Sequence, residues 1–76
     1  MTPMQALVLM EIKRAGAAGL PLERLVSVCA SWRELRRMDP PKDPRACVRV
    51  TVHQVKAFGH LIGDGRAGDR RYRLAG

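Results

Sequence analysis

Aromatic side chains are scarce in this sequence, which has one Phe, one Tyr and one Trp among 76 residues. This scarcity excludes an aromatic core, so the interior must be built from Leu, Val, Met and Ala. A chain of this length is expected to form one domain, spanning residues 1–76, that buries only about 60% of its unfolded surface. Apolar residues make up 46% of the sequence, which favours a globular protein over a disordered one.

Cysteine is also scarce, and long apolar runs are missing. Cys29 and Cys47 have neither the spacing of a metal site nor that of a disulfide framework. Each falls on an apolar helical stripe, so we expect two buried free thiols. No apolar run approaches the roughly 20 residues of a membrane span. Residues 1–9 also lack the basic segment of a signal peptide. These absences predict a cytoplasmic protein with no membrane partner.

Positive charge is abundant and unevenly distributed, giving a net charge of +7. Residues 45–76 contain seven of the 14 basic residues but only two of the seven acidic ones. An excess concentrated in one half favours a polyanionic partner, most simply nucleic acid. The alternative is a solvated surface that keeps a small protein soluble.

The stretch 45–62 has two distinct faces when it is read at 3.6 residues per turn. The apolar face contains Val48, Val52, Val55, Phe58 or Gly59, and Ile62, and the polar face contains Arg49, His53, Lys56 and His60. We therefore expect a helix that ends at Gly63-Asp64-Gly65. Residues 48–52 also alternate as in a strand, and Thr51 could cap a later helix start.

Two earlier helices are predicted. Thr2, Pro3 and Gln5 form a capping box that opens the first helix, which runs to Ala15 and stops at Gly16. Pro21 opens the second helix, whose core-facing positions are Leu22, Leu25, Val26 and Cys29. We expect one core to contain Val8, Ile12, Leu25, Val26, Val55, Phe58 and Ile62.

Residues 31–47 are predicted to form a long loop between the second and third helices. Ser31 either starts a short helical turn through Met38 or continues the second helix. Prolines at 40, 41 and 44 predict irregular structure over residues 39–44. Trp32 and Leu35 are expected to pack on the core, with Arg33, Arg36 and Arg37 outside.

The C-terminal stretch 63–74 is predicted to be a β-hairpin with its turn at Gly68-Asp69. Tyr72 and Leu74 would face inward, and arginines would face outward at 66, 70, 71 and 73. The expected fold is mainly α with a small β-hairpin. It is a winged helix-turn-helix with three helices and a C-terminal wing.

Short motifs along the chain strengthen this expectation. They are Thr2-Pro3, Gly19-Leu20-Pro21-Leu22-x-x-Leu25, Trp32, Arg49-x-Thr51-Val52-His53 and Tyr72-Arg73-Leu74. Together they resemble the DNA-binding effector domain of OmpR/PhoB-type response regulators, without a receiver domain or N-terminal sheet. The resemblance implies a recognition helix carrying the Val-His pair, a wing, and a loop at 31–47 that can contact RNA polymerase. Arg71 departs from the family, which has Gly before the Tyr.

The resulting functional expectation is sequence-specific binding of double-stranded DNA, as in a small transcriptional regulator. Arg can pair with guanine and Gln with adenine in the major groove, while wing arginines contact backbone or minor groove. The candidate DNA-binding residues are Arg49, Thr51, His53, Gln54, Lys56, His60, Arg66, Arg70, Arg71 and Arg73. A single small module binds weakly, so a homodimer is compatible with this function.

The alternative function is protein binding. A protein-binding winged helix could dock on the transcription machinery or another nucleic-acid enzyme through Trp32, Arg33, Arg36 and Arg37. His53 and His60 are seven residues apart without a nearby third ligand, so no metal or other cofactor is expected. No nucleophile–histidine–carboxylate set can be assigned, so no catalytic residue and no enzyme activity are expected.

Overall fold

Three helices and a small antiparallel sheet share one core in a computed structural model of the chain, which describes residues 1–65 and 70–75. The elements are α1 (Pro3–Ala15), β1 (Leu20–Pro21), α2 (Leu22–Leu35), α3 (Pro44–Ala57), β2 (Leu61–Asp64) and β3 (Arg71–Leu74), with a 3₁₀ turn at Gly16–Ala18. The prediction of a mainly helical fold with a small β component is confirmed. The predicted turn at Gly68-Asp69 lies outside the described residues.

α1 begins and ends as its sequence predicts. Thr2 Oγ1 accepts a hydrogen bond from the Gln5 backbone N–H at 3.1 Å, and Gln5 Oε1 accepts one from the Thr2 N–H at 3.0 Å. This capping box satisfies two backbone donors at the helix start. Gly16 ends the helix with a φ of 67°, a conformation that glycine adopts without steric cost.

α2 continues through Ser31 to Leu35, so the predicted 31–47 loop is wrong at both ends. The connection to α3 is shorter, covering residues 36–43. Ser31 continues the helix because the first proline that would break it comes only at position 40, and the residues after Ser31 tolerate helix well. The chain then turns away at Arg37, which has a φ of 55°.

α3 begins at Pro44, which lies in the stretch 39–44 that was predicted to be irregular. This start is also earlier than the alternative start at Thr51. Asp43 caps it by accepting a hydrogen bond from the Ala46 N–H at 3.1 Å. Pro44 is tolerated because the first helical residue needs no N–H partner within the helix. The strand alternative for residues 48–52 and the late start at Thr51 are therefore wrong.

α3 ends at Ala57, five residues before the predicted end at Ile62. Gly59, with a φ of 85°, turns the chain out of the helix. Gly63 and Asp64 consequently belong to β2 and do not cap the helix. Phe58 was predicted to be buried, but it forms the C-cap of α3 and its side chain is 63% exposed. Ile62 is half-buried in β2.

The sheet has the order β1-β3-β2, with both pairs antiparallel. Tyr72 in the central strand pairs with Leu20 on one side and Gly63 on the other. The two-residue strand β1 was not predicted. Gly19 precedes it with a φ of 69°, and a Cβ there would lie 2.8 Å from the Tyr72 carbonyl oxygen. Only glycine fits this close approach.

The core lies between the three helices and the sheet. Its buried side chains are Leu7, Val8, Ile12, Leu25, Cys29, Val48, Val52, Val55, Leu61 and Tyr72. Val8, Ile12, Leu25 and Val55 are thus buried as predicted, and Val26 packs against them half-buried. Besides Phe58 and Ile62, two further residues expected in the core are not buried there, since Leu35 is 81% exposed and Cys47 is only half-buried.

Within residues 1–65 and 70–75, no helix has both the length and the apolar character needed to cross a membrane.

Candidate nucleic-acid interface

α3 presents a row of exposed basic and imidazole side chains along one face. Arg45, Arg49, His53 and Lys56 follow each other at steps of four, four and three residues, and all are exposed. At 1.5 Å of rise per residue the row is about 16 Å long. The opposite face of α3 is anchored in the core by Val48, Val52 and Val55.

A groove separates this row from the sheet. Arg45, Arg49 and His53 line it from α3, and Arg70 and Tyr72 line it from the other side. The start of α2 closes the groove with Glu23, whose Oε1 lies 2.6 Å from Arg45 Nη1. Both partners of this ion pair are about two-thirds exposed, so its contribution to stability is small. Its main effect is to neutralise Arg45.

Arg70 is held differently from the other arginines. It is half-buried, and its Nε is buried with no hydrogen-bond partner among the described residues. Its side-chain stem lies close to Gly63, where an added Cβ would be 3.1 Å from Arg70 Cδ. The missing side chain at Gly63 therefore makes room for Arg70 beside the groove.

The arginines of β3 fall into two kinds. Arg71 is exposed and takes part in none of the salt bridges between described residues. Arg73 Nε donates to Asp64 Oδ2 across the β2–β3 pair, which offsets its charge. Arg66, another predicted wing contact, lies outside the described residues.

Two predicted DNA-binding residues do not belong to the basic row. Thr51 is 6% exposed, and its Oγ1 donates to the Cys47 carbonyl at 2.9 Å. It faces the core because it lies on the buried side of the helix next to Val52. His60 is exposed but follows the end of α3, where its ring lies edge-on to Phe58 at 6.4 Å. The predicted shared face therefore stops at Lys56.

Gln54 is exposed, but part of its hydrogen-bonding capacity is already used. Its Oε1 accepts a hydrogen bond from Gln5 Nε2 of α1 at 2.9 Å. Sequence reasoning missed this contact, which joins residues 49 positions apart. It also left Arg45 out of the site, although Arg45 stands one helical turn before Arg49 and could have been found from that spacing.

The residues proposed for protein docking lie at the end of α2. The Arg36 guanidinium is 5.7 Å from the centre of the Trp32 ring, and Arg37 is exposed beside it. Arg33 was expected outside, but it is half-buried and points toward the 36–43 loop. It donates to the Asp39 carbonyl at 3.2 Å and contacts Cys47 Sγ at 3.7 Å.

In the part of the chain that the structure describes, no three His, Cys, Asp or Glu side chains come together as metal ligands.

No family model matches the chain, and neither a curated protein nor a solved structure is significantly similar to it. The resemblance to OmpR/PhoB-type effector domains therefore rests on the short motifs alone.

Proposed function

We propose that the chain binds double-stranded DNA as a winged helix-turn-helix, with α3 in the major groove and the β2–β3 hairpin as the wing. The observation that carries this proposal is the exposed row of Arg45, Arg49, His53 and Lys56, which continues across a groove to Arg70. The chain order of helix, strand, two helices and two strands, with the basic helix just before the hairpin, also supports it.

The geometry of α3 suits a major groove, which is about 12 Å wide and admits one helix. Its apolar face is fixed in the core, so the basic row faces away from the protein. Arg49 and Lys56 would contact base edges or phosphates from this row. Gln54 would act mainly as a donor through Nε2, because Gln5 already donates to its Oε1.

Basic side chains without an ion pair in the protein are better candidates for phosphate contacts than those whose charge is already offset. Arg49, Lys56, Arg70 and Arg71 take part in none of the salt bridges formed within residues 1–65 and 70–75. Four such contacts would release counterions with a slope of about −3 to −4 in a plot of log K against log salt. Arg45 and Arg73 would add less, since Glu23 and Asp64 offset their charges.

Fluorescence anisotropy on a random duplex, at two salt concentrations, tests this proposal. We expect Lys56→Ala and Arg70→Ala each to weaken binding. Each should also make the slope of log K against log salt less negative by about one unit. Lys13→Ala is the matched control, because Lys13 is exposed on α1 and, like Lys56, takes part in none of the salt bridges between described residues. A parent protein without salt-dependent binding at low salt would rule the proposal out.

Sequence specificity needs a second duplex, obtained by selection from a random pool. If Arg49 pairs with a guanine, Arg49→Ala should cost about 1–3 kcal/mol on the selected duplex and much less on random DNA. Equal losses of binding free energy on both duplexes would indicate that Arg49 contacts phosphate and not a base.

A second candidate function is docking of an acidic protein segment at the end of α2. Leu35 is 81% exposed there, and Met38 is 47% exposed, next to the Trp32–Arg36 pair. This surface combines apolar side chains with Arg36 and Arg37. Its charge is complementary to a segment that carries both carboxylates and apolar side chains, as on a component of the transcription machinery.

Trp32 is the sole tryptophan and therefore reports on this surface by fluorescence. A synthetic Glu- and Leu-rich peptide should change Trp32 emission with the parent, and less with Leu35→Ser. A peptide with Lys in place of Glu is the control for charge. Equal responses to both peptides would contradict docking by charge complementarity.

A further inference from the structure

A cavity of about 250 Å³ lies where α1, α2, the 36–43 loop and the start of α3 meet. Half of its lining residues are aliphatic or proline, namely Val26, Ala30, Pro40, Pro41, Pro44 and Val48. Arg33 and Glu34 are its charged lining residues. The cavity is separate from the basic row of α3 and has no part in the proposed DNA contact.

Sulfur is concentrated around this cavity. Both cysteines of the chain line it, together with two of the four methionines. Each sulfur comes from a different segment: Met4 from α1, Cys29 from α2, Met38 from the loop and Cys47 from α3. Four separate segments thus bring two cysteines and two methionines to the wall of one apolar space.

Thiolate and thioether ligands select soft metal ions, Cu(I) above all. A structural zinc site would need four nitrogen or sulfur ligands, usually Cys and His. The described residues hold no cluster of three His, Cys, Asp or Glu. Two thiols supported by thioethers therefore fit Cu(I) better than zinc.

Arg33 supplies the charge that such an ion would require. Its Nη2 lies 3.7 Å from Cys47 Sγ. Cu(I) bound by two thiolates carries one net negative charge, which is costly to bury without a partner. The Arg33 guanidinium would neutralise it inside the apolar wall.

We propose that this sulfur-lined cavity binds one Cu(I) ion through the thiolates of Cys29 and Cys47, assisted by the thioethers of Met4 and Met38. On binding, two S–Cu bonds form and each thiol releases its proton to solvent. Copper stays Cu(I) throughout, so no oxidant or reductant takes part.

Proton release makes the affinity depend on pH, so the parent and its variants are compared at one fixed pH.

The test is an anaerobic titration of the reduced chain with Cu(I), in competition with the chromophoric chelator bicinchoninate. We expect one Cu(I) per chain, thiolate-to-copper charge-transfer absorption in the ultraviolet, and a higher melting temperature for the loaded protein. None of these readouts involves DNA, so the result is independent of the proposed function.

Variants locate the ion. Cys47→Ser should weaken Cu(I) binding at least about 100-fold, and because Cys47 is only half-buried, folding should tolerate the change. Met38→Leu should weaken it about tenfold. Met10→Leu is its matched control, since Met38 and Met10 are 47% and 49% exposed and Met10 is absent from the cavity wall.

Two outcomes would overturn the site. Unchanged affinity in Cys47→Ser would place the copper elsewhere and refute the proposal. Equal affinities of Met38→Leu and Met10→Leu would refute the assignment of the Met38 thioether as a ligand.

Discussion

Gln5 of α1 donates a hydrogen bond from Nε2 to Oε1 of Gln54 on α3, at 2.9 Å. The same Gln5 side chain accepts a hydrogen bond from the Thr2 N–H through Oε1. Because an N–H can only donate, the Thr2 contact fixes which end of the Gln5 amide faces Gln54. The start of α1 thereby sets the orientation of a candidate DNA contact on α3.

Replacing Gln5 should affect stability and the interface together. Gln5→Ala removes half of the capping box and the contact with Gln54, so we expect a loss of about 1–2 kcal/mol in the free energy of unfolding. Gln5→Glu keeps the cap acceptor and should lose less. Urea denaturation of both variants measures this difference, and equal losses would show that the cap contributes little.

Phe58 and Val55 should respond very differently to truncation. Phe58 is 63% exposed, so Phe58→Ala should change the free energy of unfolding by less than about 0.5 kcal/mol. Val55 is fully buried, and Val55→Ala should cost about 2 kcal/mol through lost burial and the cavity left behind. Thermal or urea unfolding tests the contrast. A larger loss of stability for Phe58→Ala than for Val55→Ala would contradict the exposed position of the Phe58 ring.

Arg71 and Arg73 of β3 should contribute differently to DNA binding. Arg71→Ala should lower the salt slope by about one unit. Arg73→Ala should lower it less, because Asp64 already offsets that charge. In the converse experiment, Asp64→Asn should strengthen binding to a random duplex. Anisotropy at two salt concentrations measures all three, and identical slopes for the two arginine variants would contradict this ranking.

Alkaline pH should lower the free energy of unfolding, because the buried Cys29 thiol resists ionisation in the folded state. Burial raises the pKa of this thiol from 9.0 to about 11, so the folded state holds its proton where the unfolded state has lost it. The stabilisation is complete below pH 9 and is lost as pH rises toward 11, amounting to about 2–3 kcal/mol. Urea unfolding from pH 7 to 11 measures it. Cys29→Ala is the control, and a parallel pH profile in that variant would refute the assignment.

Local sequence signals predicted the start of α1 well but the end of α3 poorly. Thr2 and Gln5 interact with each other, so the capping box could be recognised from spacing alone. At α3, Phe58 and Ile62 happen to continue the apolar stripe, although Gly59 has already turned the chain. Periodicity gives no sign of such a break, because the apolar residues of the following strand keep the same spacing by coincidence.

Contacts between distant segments account for most of what sequence reasoning missed. β1 is two residues long and includes Pro21, so only its pairing with β3 defines it as a strand. Gln5 and Gln54 likewise give no local signal of their contact. Within the candidate site, the basic face of α3 was predictable from Arg49, His53 and Lys56. The ion pair in which Glu23 offsets the charge of Arg45 could not be predicted from the sequence, because the fold brings these two residues together.

The pairing of Leu20 with Tyr72 has a consequence for how the chain folds. Most of the sequence separates these partners, so forming the sheet requires closing a long loop, which slows folding. During synthesis all three helices are complete before β3 exists. Until then the buried side chains of the helices lack the cover of Tyr72, which leaves a period of exposure to aggregation.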